Sequence, residues 1–336
     1  MNTVPSNEKR RNRWAHRCAW LLACATFPLI WVGGLVTTTD AGMAFRDWVT
    51  SDGYFMPFYP WLSSAGDKFV EHGHRLLGMS AGFLSILLVL VVWRTEPRRW
   101  VRLYSLAILA GVVLQGVLGG LRVVLDERIL ALIHGCTGPL FLAMCVAMVA
   151  FTSAWWQNTS VDTNLPSSRK VLRLAIVCTG LAFAQLVVGA IVRHSPHLLS
   201  PVSPALFQLA VYFHLFLAVL ILAHVLLLVG RCFQTRMQVA VGSILLGLVA
   251  LQVVLGLATW LVKYGLPRWA MAWFGELGFV NRAADFWQTS IITGHVAVGS
   301  LIFVTALAIA LRLARQLGVA IPQMPLTTTR LSEVLL

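Results

Sequence analysis

The chain of 336 residues is 58% hydrophobic and only 12% charged, and its mean hydropathy is +0.78. Soluble domains carry about 25% charged residues, so an ordinary soluble enzyme is excluded and a polytopic, all-α membrane protein is expected. The formal net charge of +13 is distributed over the ends of the apolar runs, which argues against a nucleic-acid-binding face.

Runs of 18 or more residues without Asp, Glu, Lys or Arg read as transmembrane helices. Eight occur, at roughly 18–39, 76–93 (helical from about 69), 103–121, 129–156, 174–192, 205–230, 237–262 and 286–311. An even number leaves both termini on one side. That side carries 17 of the Lys and Arg residues and the other carries 9, while nine of the thirteen acidic residues lie opposite the termini. Basic residues favour the cytoplasmic side, so the expectation is a multi-pass protein of the cell inner (plasma) membrane with cytoplasmic termini. The stretch Met1–Arg17 is polar and basic, and the first apolar run is too long for a signal h-region, so a retained first helix is expected. The six cysteines lie within spans or at the cytoplasmic side and form no CxxC pair; they read as buried thiols rather than a disulfide framework.

In chain order, the first span ends in Trp31-Val-Gly-Gly-Leu-Val-Thr-Thr-Thr-Asp-Ala-Gly42, where paired glycines permit close helix packing in lipid. The outer loop Thr38–Lys68 is rich in Gly, Pro, Trp and Tyr and is expected to lie as a lid at the membrane interface rather than hang free. The second span opens with Glu71-His-Gly-His-Arg75. Ionisable groups at membrane depth usually face a bundle interior and mark function, and Gly73 would let a bulky ligand approach the backbone. A Gln followed four residues later by Gly recurs in the third, fifth and seventh spans, as Gln115/Gly119, Gln185/Gly189 and Gln252/Gly256. Such self-similarity points to an internal repeat, with the Gln-Gly pairs themselves read as packing devices. The halves are then 18–156 and 170–312, joined by the polar linker Gln157–Lys170. Four spans each give two four-helix bundles related by a pseudo-twofold along the membrane normal.

Each even-numbered span carries one histidine at similar depth: His74, His134, His214 and His295. At 1.5 Å per residue, five to nine residues inside the outer face correspond to roughly 7–14 Å. Two histidines per half, on facing helices, are suited to clamping a flat cofactor such as a heme; a compact set for a porphyrin-free metal is lacking. Glu71 breaks the symmetry, because Val211 and Ile292 stand three residues before His214 and His295. One cofactor-holding half and one reactive half are the expectation, with a carboxylate paired to Arg75 as the structural alternative. Arg75 itself could neutralise a carboxylate of a bound cofactor or snorkel to the interface, with Arg122 and Arg193 weaker candidates. His72 is expected to face a neighbouring element or the headgroups, His224 to be a core or supporting group, His194 and His197 to lie in an outer loop with Pro196 and Pro201, and His16 at the cytoplasmic edge.

These residues resemble the heme A synthase family. The similarity rests on Gly33-Gly-Leu-Val-Thr, Asp47-Trp48, Glu71-x-x-His74-Arg75-Leu-Leu-Gly78, Gln115-Gly-Val-Leu-Gly-Gly-Leu121, His134, His214, Gln252-Val-Val-Leu-Gly256 and Gly294-His295, across all eight spans. It implies an oxidoreductase acting on a CH group. Successive hydroxylations would convert a ring methyl of heme O to the formyl group of heme A, with loss of water from the gem-diol, for terminal oxidase biogenesis. It further implies heme b on His214 and His295, the substrate heme on His74 and His134, and Glu71 as the essential carboxylate. The lipid bilayer and heme O are the implied partners; heme O synthase, an electron donor and a second copy of the chain are others such an enzyme could meet. Many bacterial members carry a cysteine pair in the first outer loop, where this chain reads Ala41-Gly-Met-Ala-Phe-Arg-Asp-Trp48, so no redox role of that pair transfers. The rival expectation is a diheme b-type, quinol-oxidising electron-transfer subunit built on the same four histidines.

Overall fold

A computed structural model describes residues 6–161, 166–198, 204–265 and 285–319. Helices α1 (Ser6–Thr38), α2 (Gly66–Thr95), α3 (Arg99–Val124), α4 (Arg128–Thr152), α5 (Ala154–Asn158), α6 (Pro166–Leu198), α7 (Pro204–Thr235), α8 (Val239–Tyr264) and α9 (Phe286–Gln316) account for most of it. All except the short α5 are long and apolar enough to cross a membrane, as the eight uncharged runs predict. The protein is an all-α, multi-pass membrane protein.

The expected continuous span 129–156 is interrupted. Helix α4 stops at Thr152, and Ser153 turns the chain, its hydroxyl accepting the Trp156 N–H to cap α5. Charge-free length alone could not show that break, because a serine N-cap carries no charge. At the other face, α6 runs through Pro196 to Leu198, so the backbone of His194 and His197 lies in its last turns and not in a loop. Proline marks loops in soluble chains but is tolerated in membrane helices. Pro201 lies outside the described residues.

Helix packing closes two rings. In the first, α1, α2, α3 and α4 each touch the next and α4 returns to α1; in the second, α6, α7, α8 and α9 do the same. The rings meet where α9 touches α1 and α4, and α4 touches α6. More than half of the α9 span is buried, against a third or less for every other span. One apolar core is built from Leu22, Leu88, Ile108 and Met148 of the first ring. Another joins Leu228, Leu245, Ile309 and Leu313 of the second ring to Leu142 of α4. Large side chains such as Phe83 and Val219 are exposed, as expected where lipid is the solvent and burial gives little drive to association.

The loop between α1 and α2 contains a hairpin, β1 (Thr50–Ser51) with β2 (Tyr54–Phe55). Asp52 and Gly53 turn it with φ of 50° and 80°. Two positive φ values in an Asp-Gly pair are the preference of a tight hairpin turn. The Asp47 carboxylate accepts the Asp52 and Gly53 N–H groups at 3.0 and 2.9 Å. Burial acts to raise its pKa, but these bonds together with Thr50 outweigh it and hold the carboxyl below its ordinary value.

Candidate functional site

The four histidines form two pairs. His74 on α2 and His134 on α4 have ring centres 6.2 Å apart and planes at 85°. His214 on α7 and His295 on α9 have centres 6.3 Å apart and planes at 67°. A metal-bound imidazole nitrogen sits about 2.0–2.1 Å from the ion, so two rings on opposite sides of one metal have centres about 6.3 Å apart. Both pairs match that spacing.

The odd-numbered members of each ring shape the pockets. A Cβ on Gly33 of α1 would lie 2.9 Å from Cε1 of His74; on Gly119 of α3, 3.2 Å from Cε1 of His134; on Gly189 of α6, 3.1 Å from Cε1 of His214; on Gly256 of α8, 3.0 Å from Cε1 of His295. The Nδ1 atoms of all four rings are buried without a hydrogen bond. In His74, His134 and His295, Nε2 is neither sealed nor hydrogen-bonded by the described residues. Three of the four are half-sealed imidazoles with Nε2 presented, the donor chemistry a heme iron takes; Nε2 of the fourth, His214, meets the Gln185 amide. The residues present therefore fit a bis-histidine heme in each bundle.

The glutamines of the Gln-Gly repeats reach across to the histidine-bearing helices. Gln115 donates to Thr137 Oγ1 at 2.6 Å, one turn beyond His134. Gln185 donates to the His214 carbonyl at 3.0 Å and lies 3.2 Å from its Nε2. The Gln252 amide lies beside Gly299, where a Cβ would be 3.3 Å away. Helix α1 has Leu29 at the corresponding place, four residues before Gly33. The repeated pairs are thus parts of the histidine pockets, which periodicity alone did not reveal.

Glu71 has 1% of its surface exposed, and both of its oxygens are engaged. Oε2 accepts the N–H groups of Ala44 and Phe45 at 2.8 and 3.2 Å, and Oε1 takes a guanidinium N–H of Arg75 at 3.0 Å. Arg75 also donates to the carbonyls of Asp47 and Thr50 at 2.9 and 2.8 Å. Its guanidinium is turned to the loop and to Glu71. Beneath this network Phe45 is fully buried, with the guanidinium carbon 4.8 Å from its ring centre. His72 faces the same loop: its Nδ1 lies 3.1 Å from Ser51 Oγ, and its ring packs 4.6 Å from that of Tyr59. Gly73 is covered by the Trp61 ring, which a Cβ would meet at 3.2 Å; the bulky neighbour is part of the lid rather than a ligand. Trp48 lies flat on Gly120 of α3. One strip of α2 therefore fastens the outer loop over the first ring.

Across the junction, Arg193 of α6 donates to the Gly34 carbonyl and Thr38 Oγ1 of α1, each at 2.6 Å, and Thr293 of α9 reaches Thr38 at 3.2 Å. Arg122 rests against Gly42, where a Cβ would lie 2.7 Å from its guanidinium. His224 Nδ1 bonds the Leu220 carbonyl at 2.8 Å, and His16 ties α1 to Thr152 of α4 at 3.2 Å. Neither joins the paired histidines.

A family model described as cytochrome oxidase assembly protein, COX15-CtaA, matches residues 16–272. The chain is 32% identical to a heme A synthase of Methylobacterium sp. (strain 4-46) over 139 residues, covering 38% of this chain and 39% of that protein. It is 27% identical over 164 residues to a heme A synthase of Brucella anthropi (46% of this chain, 44% of that one) and 26% identical over 164 residues to one of Brucella ovis, with the same coverage. These alignments span less than half the length of each relative.

Proposed function

The chain belongs to the COX15-CtaA family of cytochrome oxidase assembly proteins, and from that membership we propose that it is a heme A synthase. Its substrate is heme O, one ring methyl of which becomes the formyl group of heme A, gaining one oxygen and losing two hydrogens, for terminal oxidase assembly. The observation that carries this reading is the pairing of histidines, at 6.2 Å in one ring of helices and 6.3 Å in the other.

The second ring, α6–α9, holds a resident heme b through His214 and His295. The first, α1–α4, takes heme O between His74 and His134. The unequal surroundings support this division: the loop fastened by Glu71 and Arg75 covers the first ring. When bound, heme b supplies one-electron chemistry that amino-acid side chains lack. The chain's own residues do the rest. The helices exclude water from the histidine pockets. The lid closes over the first of them, and Glu71 keeps a carboxylate one helical turn from His74, where a fixed charge stabilises positive charge developing on the substrate. The apolar lining suits a lipophilic substrate arriving from the bilayer. The basic-residue bias supports cytoplasmic termini and, in a bacterial cell, an inner-membrane location with the lid on the outer side.

The test is the pigment extracted from membranes of cells that make heme O, with and without this protein. Heme A appearing only with the protein is expected. Heme O left unchanged beside a correctly folded, heme-containing protein would refute the synthase reading.

A further inference from the structure

Among the described residues, several glycines inside helices have nothing within 4 Å of the place a Cβ would take, among them Gly116, Gly180 and Gly247. The glycines opposite the paired histidines differ. For Gly33, Gly119 and Gly256 the three nearest atoms are all of one imidazole ring, and for Gly189 the only two within 4 Å are as well. Glycine is a poor helix former, so its recurrence at the same place on α1, α3, α6 and α8 runs against local propensity. It is not explained by helix-to-helix contact, because the nearest atoms belong to a ring and not to a backbone.

We propose that Gly33, Gly119, Gly189 and Gly256 are positioning residues that seat the Cε1–Nδ1 edge of one ligand histidine each, thereby choosing Nε2 as the metal-binding nitrogen and setting the rotation of the imidazole plane about the iron axis. This rests on the heme reading above. Two independent observations carry it. A Cβ on each of these glycines would stand 2.9–3.2 Å from Cε1 of its histidine, closer than an ordinary carbon contact. Each Nδ1 is also buried and lacks a hydrogen bond. A methyl group on the glycine pushes the ring out of the seat, and with it the ligand nitrogen.

The experiment uses the purified full-length protein, with Gly189→Ala and Gly256→Ala compared to Gly180→Ala and Gly247→Ala on the same two helices. Heme b per polypeptide and the low-spin electron paramagnetic resonance spectrum are measured. The seat variants are expected to retain heme b roughly 10-fold more weakly, or to keep it with shifted low-spin g values; the control variants are expected to match wild type. A second measurement does not depend on heme. Gly256→Ala is expected to lower the melting temperature when residue 295 is His and to have no such effect in the His295→Ala background, since directly contacting residues are non-additive. Unchanged heme content and spectrum in both seat variants, or an equal loss of melting temperature in both backgrounds, would overturn the proposal. Wild-type protein that binds no heme would instead overturn the heme assignment itself.

Discussion

Glu71→Gln separates a fastening role from a purely chemical one. The carboxylate accepts three N–H groups, two from the loop backbone and one from Arg75, and the side chains of the ion pair are 1% and 8% exposed. Glutamine keeps the shape but turns one acceptor into an NH2 group. That group must face either the Ala44 and Phe45 amides or the Arg75 guanidinium, donor against donor. Breaking a buried pair costs about 3–5 kcal/mol. Arg75 still has the Asp47 and Thr50 carbonyls, so the lower end applies: about 3 kcal/mol, or roughly 100-fold in the open population of the loop. The loss is local, because the network lies wholly between the loop and α2. Limited trypsin digestion reads it directly, since Arg46 and Lys68 sit in and beside the loop and cleavage follows the open fraction when opening is fast. Cleavage is expected to rise by about two orders of magnitude, with heme b retained because His214 and His295 are untouched. Heme A production is expected to fall by 10²–10³, on the order of a lost electrostatic contact to the reacting centre. Cleavage at the wild-type rate would refute the fastening argument. Normal heme A would remove Glu71 from the chemistry.

Replacing His214 or His295 with Ala is expected to lower bound heme b and alter its low-spin spectrum, whereas His74→Ala and His134→Ala leave that heme in place; full retention in both second-ring variants, measured by pigment per polypeptide, would refute the assignment. For orientation, Ser63→Cys in an otherwise cysteine-free chain is expected to react with an impermeant thiol reagent in intact cells, because Ser63 is exposed in the loop and the 17-to-9 bias of basic residues favours that loop on the outer side. Labelling only after lysis would reverse the topology.

The sequence by itself determined the all-helical membrane character, the eight spans and the four histidines. These properties are carried by charge-free length and by spacing along one helix, which need no partner to be read. The α4–α5 break escaped because a neutral serine ends the helix, and the hairpin escaped although Asp52-Gly53 announces it. That Glu71 could pair with Arg75 was legible, four residues along one helix, but their other partners were not, because these are backbone groups of a loop 25–28 residues away. The histidine-to-histidine pairing lay across 60 and 81 residues, positions 74 to 134 and 214 to 295, and only the closing of each helical ring brought the partners to one spacing. The Gln-Gly repeat could be seen in the chain, but its meaning could not. A glycine records what it admits by having no side chain, and only the tertiary structure decided that the admitted group was an imidazole.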